Sequence, residues 1–94
     1  MTPEISLTEK QLAQLLLAPK SEKVMMTLMR ALFTPAEREQ LALRWQIVKL
    51  LNSGLTQRAV AKKLKISIMK VSRGARELYD PKGGFNQILK KIKK

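Results

Sequence analysis

The segment "FTPAERE", residues 33–39, constrains the fold of this 94-residue chain more than any other stretch. Thr34 can cap a helix, Pro35 suits the first helical position because no N–H is needed there, and Glu37 completes a Thr-x-x-Glu capping box. We therefore predict a long helix from Pro35 to about Gly54. Its apolar residues form a stripe so wide that it indicates burial on two sides, and they are Leu41, Leu43, Trp45, Ile47, Val48, Leu50 and Leu51.

Helical spacing also marks both ends of the chain. Ser6 with Glu9 fits a capping box and predicts a helix from about Leu7 to Leu17, and the apolar spacing predicts another from about Ser21 to Ala31. The tail predicts a last helix, whose apolar and basic residues are Phe85, Ile88, Leu89 and Ile92 with Lys90, Lys91, Lys93 and Lys94. No strand pattern persists anywhere in the sequence.

Two short helices are predicted between residues 56 and 79. Thr56 can cap a helix that ends near Leu64, and Ser67 can cap one from Ile68 to about Tyr79. A helix-turn-helix requires a small residue where its helices cross and apolar residues that face inward from both. The crossing residue and the inward set are Ala61, Val60, Leu64, Ile66 and Val71. The predicted fold is all-α, a six-helix chain forming a single domain over residues 1–94.

The turn of this pair carries a lysine where many such turns have glycine. Lys65 either adopts a left-handed backbone, which costs an L-residue roughly 1 kcal/mol, or the turn has another shape.

The charge is concentrated in the second part of the chain. Residues up to Ser53 hold 7 Lys and Arg against 5 Asp and Glu, whereas Gly54 to Lys94 holds 12 against 2. A field of this sign favours a polyanionic partner, although the same charge can also serve solubility.

Several classes of function are poorly supported by the composition. The chain has no histidine or cysteine, and neither a Gly-rich phosphate loop nor metal-ligand spacing occurs, so we expect neither an enzyme nor a metal site. The longest apolar run, "LLLA", is far shorter than a membrane helix, and no leader pattern precedes it. We expect a soluble cytoplasmic protein that does not bind membranes.

The outward face of the helix pair suggests DNA binding. With the apolar set inward, the residues that face out are Gln57, Arg58, Lys62, Lys63, Lys65, Ser67, Ile68, Met69, Lys70, Ser72 and Arg76. All of these except Lys65 are predicted DNA contacts. Ile68, Met69 and Ser72 are the expected base readers, and the expected phosphate contacts are Lys62, Lys63 and Lys70, while Arg58 suits either role. The alternative is a basic surface that is merely solvated, which leaves exposed Ile68 and Met69 unexplained.

Three separated motifs resemble the trp repressor family over Leu32 to about Asp80. They are Phe33-Thr34-Pro35-Ala36-Glu37-Arg38, Thr56-Gln57-Arg58 and Ser72-Arg73-Gly74. The resemblance implies an intertwined all-helical homodimer that represses transcription at a double-stranded DNA operator when L-tryptophan binds as corepressor. It also implies half-sites one helical turn, about 34 Å, apart, a rule for helix-turn-helix dimers that itself rests partly on trp repressors.

The same resemblance implies a tryptophan site. Arg44 and Arg73 would hold the indole between them, Arg73 would bind the carboxylate, and Gly74 would leave room for the ring. Backbone carbonyls near Ala31, Phe33 and Thr34 of the second chain would accept hydrogen bonds from the ammonium. Guanidinium groups suit this task because they are flat, forked and weakly hydrated.

Alternatives remain for each part of this site. Arg44 can lie on the polar face of its helix, and Gly74, which costs about 1 kcal/mol relative to alanine in a helix, can ease helix packing. Glu77 stands where the family has a serine, and it can bind the ligand's ammonium or pair with Arg73 or Arg76. Two other functions stay open: a ligand-independent DNA-binding regulator, and membrane-surface or RNA binding through the lysine tail.

Overall fold

A computed structural model of the chain describes residues 3–92, which form six helices and contain no strand. The helices are α1 (Pro3–Leu17), α2 (Glu22–Leu32), α3 (Pro35–Asn52), α4 (Gln57–Leu64), α5 (Ile68–Tyr79) and α6 (Gly84–Ile92). The predicted all-α class is therefore confirmed. The chain divides into two compact units, Met1–Glu39 and Gln40–Lys94.

The first unit begins with a helix that starts earlier than predicted. Helix α1 begins at Pro3, so Ser6 lies inside the helix and the predicted capping box at Ser6 is wrong. Proline is well suited to a first helical position, because its fixed φ is helical and its missing N–H would have no partner there. The predicted end of α1 at Leu17, shortly before Pro19, is confirmed.

Both ends of α2 are capped by side-chain hydrogen bonds. The Ser21 hydroxyl accepts a hydrogen bond from the Val24 N–H at 3.2 Å. At the other end, the Arg38 guanidinium donates to the Phe33 carbonyl at 2.7 Å and to the Arg30 carbonyl at 3.4 Å. These contacts satisfy backbone groups that a helix end leaves without partners.

The capping box before α3 is confirmed. The Glu37 carboxylate accepts from the Thr34 N–H at 2.8 Å, and the Thr34 hydroxyl accepts from the Glu37 N–H at 3.1 Å. Two backbone N–H groups at the helix start are satisfied reciprocally, so the start of α3 is set by residues within one turn of each other.

The second unit contains the buried core of the described residues. Its members come from α3, α4 and α5, and they are Ile47, Val48, Leu51, Val60, Val71, Ala75 and Leu78. Val60 and Val71 were predicted to face inward and are fully buried. Leu64, Ile66 and the crossing residue Ala61 are partly buried against this core. Burying a Val or Leu side chain contributes roughly 1.5–3 kcal/mol, so this cluster is the main stabilising feature of the unit.

Helix α6 is joined to the core by a ring contact and a side-chain amide. The rings of Trp45 and Phe85 stack with centroids 6.2 Å apart and planes 19° apart. The Asn86 amide donates to the carbonyls of Leu78 and Asp80, at 2.8 Å for the latter, and so covers the C-terminal end of α5. The predicted basic residues Lys93 and Lys94 lie outside the described residues.

Candidate nucleic-acid interface and ligand site

Helices α4 and α5 form the predicted helix-turn-helix. The Thr56 hydroxyl accepts from the Ala59 N–H at 3.1 Å, and the Ser67 hydroxyl accepts from the Lys70 N–H at 3.3 Å, so both predicted caps are present. The two helices pack against each other through buried Val60 and the inward side of α5.

The turn between these helices has a left-handed lysine. Lys65 has φ 58° and ψ 47°, and it is the one residue other than glycine with positive φ among residues 3–92. The alternative of a differently shaped turn is therefore wrong. The N–H groups of Lys65 and Ile66 both donate to the Ala61 carbonyl, the latter at 3.1 Å. This backbone conformation ends α4 and returns Ile66 to the edge of the core.

The outward face of the pair combines exposed apolar side chains with cations. Ile68 is 48% exposed and Met69 is 75% exposed. The basic residues predicted to contact DNA are also exposed, and they are Arg58, Lys62, Lys63, Lys70 and Arg76. No acidic residue occurs between Leu55 and Arg76 in the sequence. The face can therefore offer apolar contact to base edges and charge to phosphates at the same time.

Two of the predicted DNA contacts bind each other. The Ser72 hydroxyl donates to the Gln57 side-chain oxygen at 2.8 Å, and both residues are half-buried. This bond links the first residue of α4 to the middle of α5. The sequence pattern did not predict this bond, since a pair of polar residues 15 positions apart carries no periodic signal. With its proton donated to Gln57, the Ser72 hydroxyl offers lone pairs to any further partner.

The predicted ligand residues of the second unit lie on α3 and α5. Arg44, Arg73 and Glu77 are exposed, and Gly74 is half-buried. A Cβ atom at Gly74 would lie 2.6 Å from Cγ2 of Ile47, which is closer than carbon atoms can approach. Ile47 is buried and β-branched, so its side chain has little freedom to move away. The close packing of α5 against Ile47 therefore accounts for this glycine without any ligand.

The predicted ammonium acceptors lie in the first unit. Ala31 and Thr34 are exposed and Phe33 is half-buried. The Phe33 carbonyl already accepts the Arg38 hydrogen bond, which leaves it one further lone pair.

An open cleft of about 410 Å³ lies elsewhere in the second unit. Its lining includes none of the predicted ligand residues, and it consists of Leu51, Asn52, Leu78, Tyr79, Pro81 and Asn86.

Within the described part of the chain, no helix is long and apolar enough to cross a membrane.

Comparison with known proteins decides the family. The sequence profile of the trp repressor protein matches residues 8–93, which include all six helices in whole or in part. The chain belongs to the trp repressor family. Members of this family are DNA-binding transcriptional repressors, so the chain belongs to a class of regulators rather than of enzymes.

Individual relatives in the trp repressor family support this placement. A Trp operon repressor homolog of Vibrio vulnificus is 39% identical, and the match covers 71% of this chain and 71% of that protein. A Trp operon repressor homolog of Chlamydia trachomatis is 33% identical, with 77% of this chain and 78% of that protein covered. No solved structure matches the chain at a significant level.

Proposed function

We propose that this chain is a cytoplasmic, tryptophan-activated repressor that binds a near-palindromic DNA operator as a homodimer. The observation that carries the proposal is the outward face of α4 and α5, where exposed Ile68 and Met69 lie among cations with no acidic residue between Leu55 and Arg76. Exposure of apolar side chains to water is unfavourable, and their burial against base edges in the major groove would lower the free energy of the complex.

The side chains would divide the work of DNA binding. Residues at the start of α5 enter the major groove in helix-turn-helix proteins, so Ile68 and Met69 would contact base edges. Ser72, held by Gln57, would accept a hydrogen bond from a base amino group or a water molecule. The remaining contacts would be to phosphates or the groove edge, through Arg58, Lys62, Lys63, Ser67, Lys70 and Arg76.

The tryptophan part of the proposal depends on the arginines. Arg44 and Arg73 are exposed, so their guanidinium groups are free to hold an indole ring and a carboxylate. The carboxylate of exposed Glu77 would bind the ammonium together with carbonyls near Ala31, Phe33 and Thr34 of the second chain. Gly74 supports this site less than its sequence position suggested, because Ile47 of the same chain already requires a glycine there.

That packing favours a second candidate, a regulator of the same family that binds DNA without a ligand. Ile47 against Gly74 holds α5 in place by contacts within one chain. If those contacts alone set the angle of α5, a corepressor would not change the affinity for DNA.

Calorimetric titration with L-tryptophan, followed by operator binding with and without it, tests the proposal. Calorimetry avoids the fluorescence of Trp45, which would overlap that of the ligand. We expect saturable binding and at least tenfold tighter operator binding with tryptophan, a coupling of about 1.4 kcal/mol. Equal operator occupancy in both conditions would establish the ligand-independent candidate instead.

The same titration tests Glu77. Indole-3-propionate lacks the ammonium, so the wild-type protein should prefer tryptophan over it by more than the Glu77→Ser variant does. Equal discrimination by both proteins would remove Glu77 from the site.

A further inference from the structure

The turn of the helix-turn-helix contains a residue that the local fold does not favour. Lys65 has φ 58° and ψ 47°, a conformation that glycine adopts freely and that a lysine adopts against steric repulsion from its Cβ. After α3 the chain meets a similar demand with Gly54, at φ 109°. A lysine in this turn therefore requires a reason beyond backbone geometry.

The contacts that the turn makes do not use the lysine side chain. The backbone N–H of Lys65 donates to the Ala61 carbonyl, and any residue other than proline supplies that donor. The side chain is exposed, and no carboxylate exists in the sequence from Leu55 to Arg76 to pair with it. One contribution within the fold is available: a cation near the C-terminal end of α4 interacts favourably with its last carbonyls. Lys62 and Lys63 already lie in that last turn.

The position of Lys65 suggests a different role. It lies three residues before Ile68, the first residue of α5. In helix-turn-helix complexes the start of the second helix enters the major groove while the first helix crosses the sugar-phosphate backbone. The turn between them then lies beside the phosphates at the edge of the groove, within reach of a long ammonium side chain.

We propose that Lys65 contacts a DNA phosphate, and that the chain retains its left-handed strain because the ammonium is needed at the edge of the groove. This inference rests on the proposed DNA-binding function and adds a residue to it. Strained backbone conformations are often kept where they serve binding, so Lys65→Gly should raise the stability of the fold while it lowers the affinity for DNA.

Three variants separate the charge from the strain. Lys65→Gly removes both the charge and the strain. Lys65→Gln removes the charge but keeps the strain, because glutamine also has a Cβ. Lys65→Arg keeps both. Lys82→Gln is the matched control, because Lys82 is an exposed lysine in the loop between α5 and α6, outside the helix-turn-helix. Lys62→Gln serves as a reference for a phosphate contact in α4. Circular dichroism gives the melting temperature of each protein.

Binding is measured with saturating L-tryptophan to a random-sequence DNA duplex two helical turns long, between about 50 and 200 mM salt. A phosphate contact contributes about 0.9 to the slope of log affinity against log salt. Lys65→Gly and Lys65→Gln should each reduce the slope by about 0.9 per bound chain and weaken binding about eightfold at 0.1 M salt. Lys65→Arg and Lys82→Gln should leave the slope unchanged. Lys65→Gly should melt at a higher temperature than Lys65→Gln, because only glycine relieves the strain.

Several results would overturn the inference. If Lys62→Gln lowers the salt slope but Lys65→Gln does not, Lys65 has no phosphate contact and the proposed function stands. A lower melting temperature of Lys65→Gln with unchanged DNA binding would show that the lysine serves only the end of α4. If the wild-type protein fails to bind any duplex, this inference and the proposed function both fail.

Discussion

Helix α5 has an inner face and an outer face, and different physical requirements explain the residues found on each. On its inner face Val71, Ala75 and Leu78 are buried, and Gly74 lies against Ile47. On its outer face Ile68 and Met69 are exposed among basic residues. Burial stabilises the inner residues, whereas the outer ones contribute little to the folded chain alone. The inner face is thus explained by folding and the outer face by binding, and substitutions on each should affect different measurements.

The largest difference is expected between two residues of similar size, Leu78 and Met69. Leu78→Ala removes buried methyl groups and should lower the free energy of unfolding by about 3 kcal/mol, whereas Met69→Ala should change it by less than about 0.5 kcal/mol. Met69→Ala should instead alter the preference among operator sequences. Urea unfolding at one fixed protein concentration checks this, since self-association would couple stability to concentration. Equal losses would show that Met69 is covered in the folded protein.

A smaller effect is expected where the inner face is tightest. Gly74→Ala should cost about 1 kcal/mol, because crowding against Ile47 by roughly 1–3 kcal/mol exceeds the gain of about 1 kcal/mol in helix propensity. In an Ile47→Ala background the crowding is gone, and Gly74→Ala should then stabilise the protein by about 1 kcal/mol. The comparison of both backgrounds by urea unfolding is decisive. The same loss in each would mean that Ile47 is not what excludes a side chain at Gly74.

The smallest effect is expected at the border of the two faces, where Ser72 binds Gln57. Ser72→Ala and Gln57→Met should each lower the free energy of unfolding by roughly 0.5–1 kcal/mol, since the hydrogen bond is only partly buried. Because each removes the same hydrogen bond, the double variant should lose little more than either single one. Fully additive losses in this double-mutant cycle would contradict the hydrogen bond, and both side chains would then count as independent residues of the outer face.

Helix starts and ends were largely predictable because capping is local. Thr34 with Glu37, Thr56 and Ser67 are each recognised within three residues along the chain, and all are confirmed. The start of α1 was missed because the sequence carries two local start signals there, Pro3 and the Ser6 box, and the prediction took the later one. The left-handed turn at Lys65 was left open, because its shape depends on bringing Ile66 back to the core.

By itself the sequence determined the all-α class, the helix-turn-helix, its fully buried valines and its basic outer face, because these follow from spacing, caps and charge along the chain. Only the tertiary structure decided that Gly74 meets Ile47 and that Ser72 binds Gln57. Those contacts depend on how closely and at what angle one helix crosses another. Residues far apart in sequence determine that angle together, and periodicity within one helix carries no information about it.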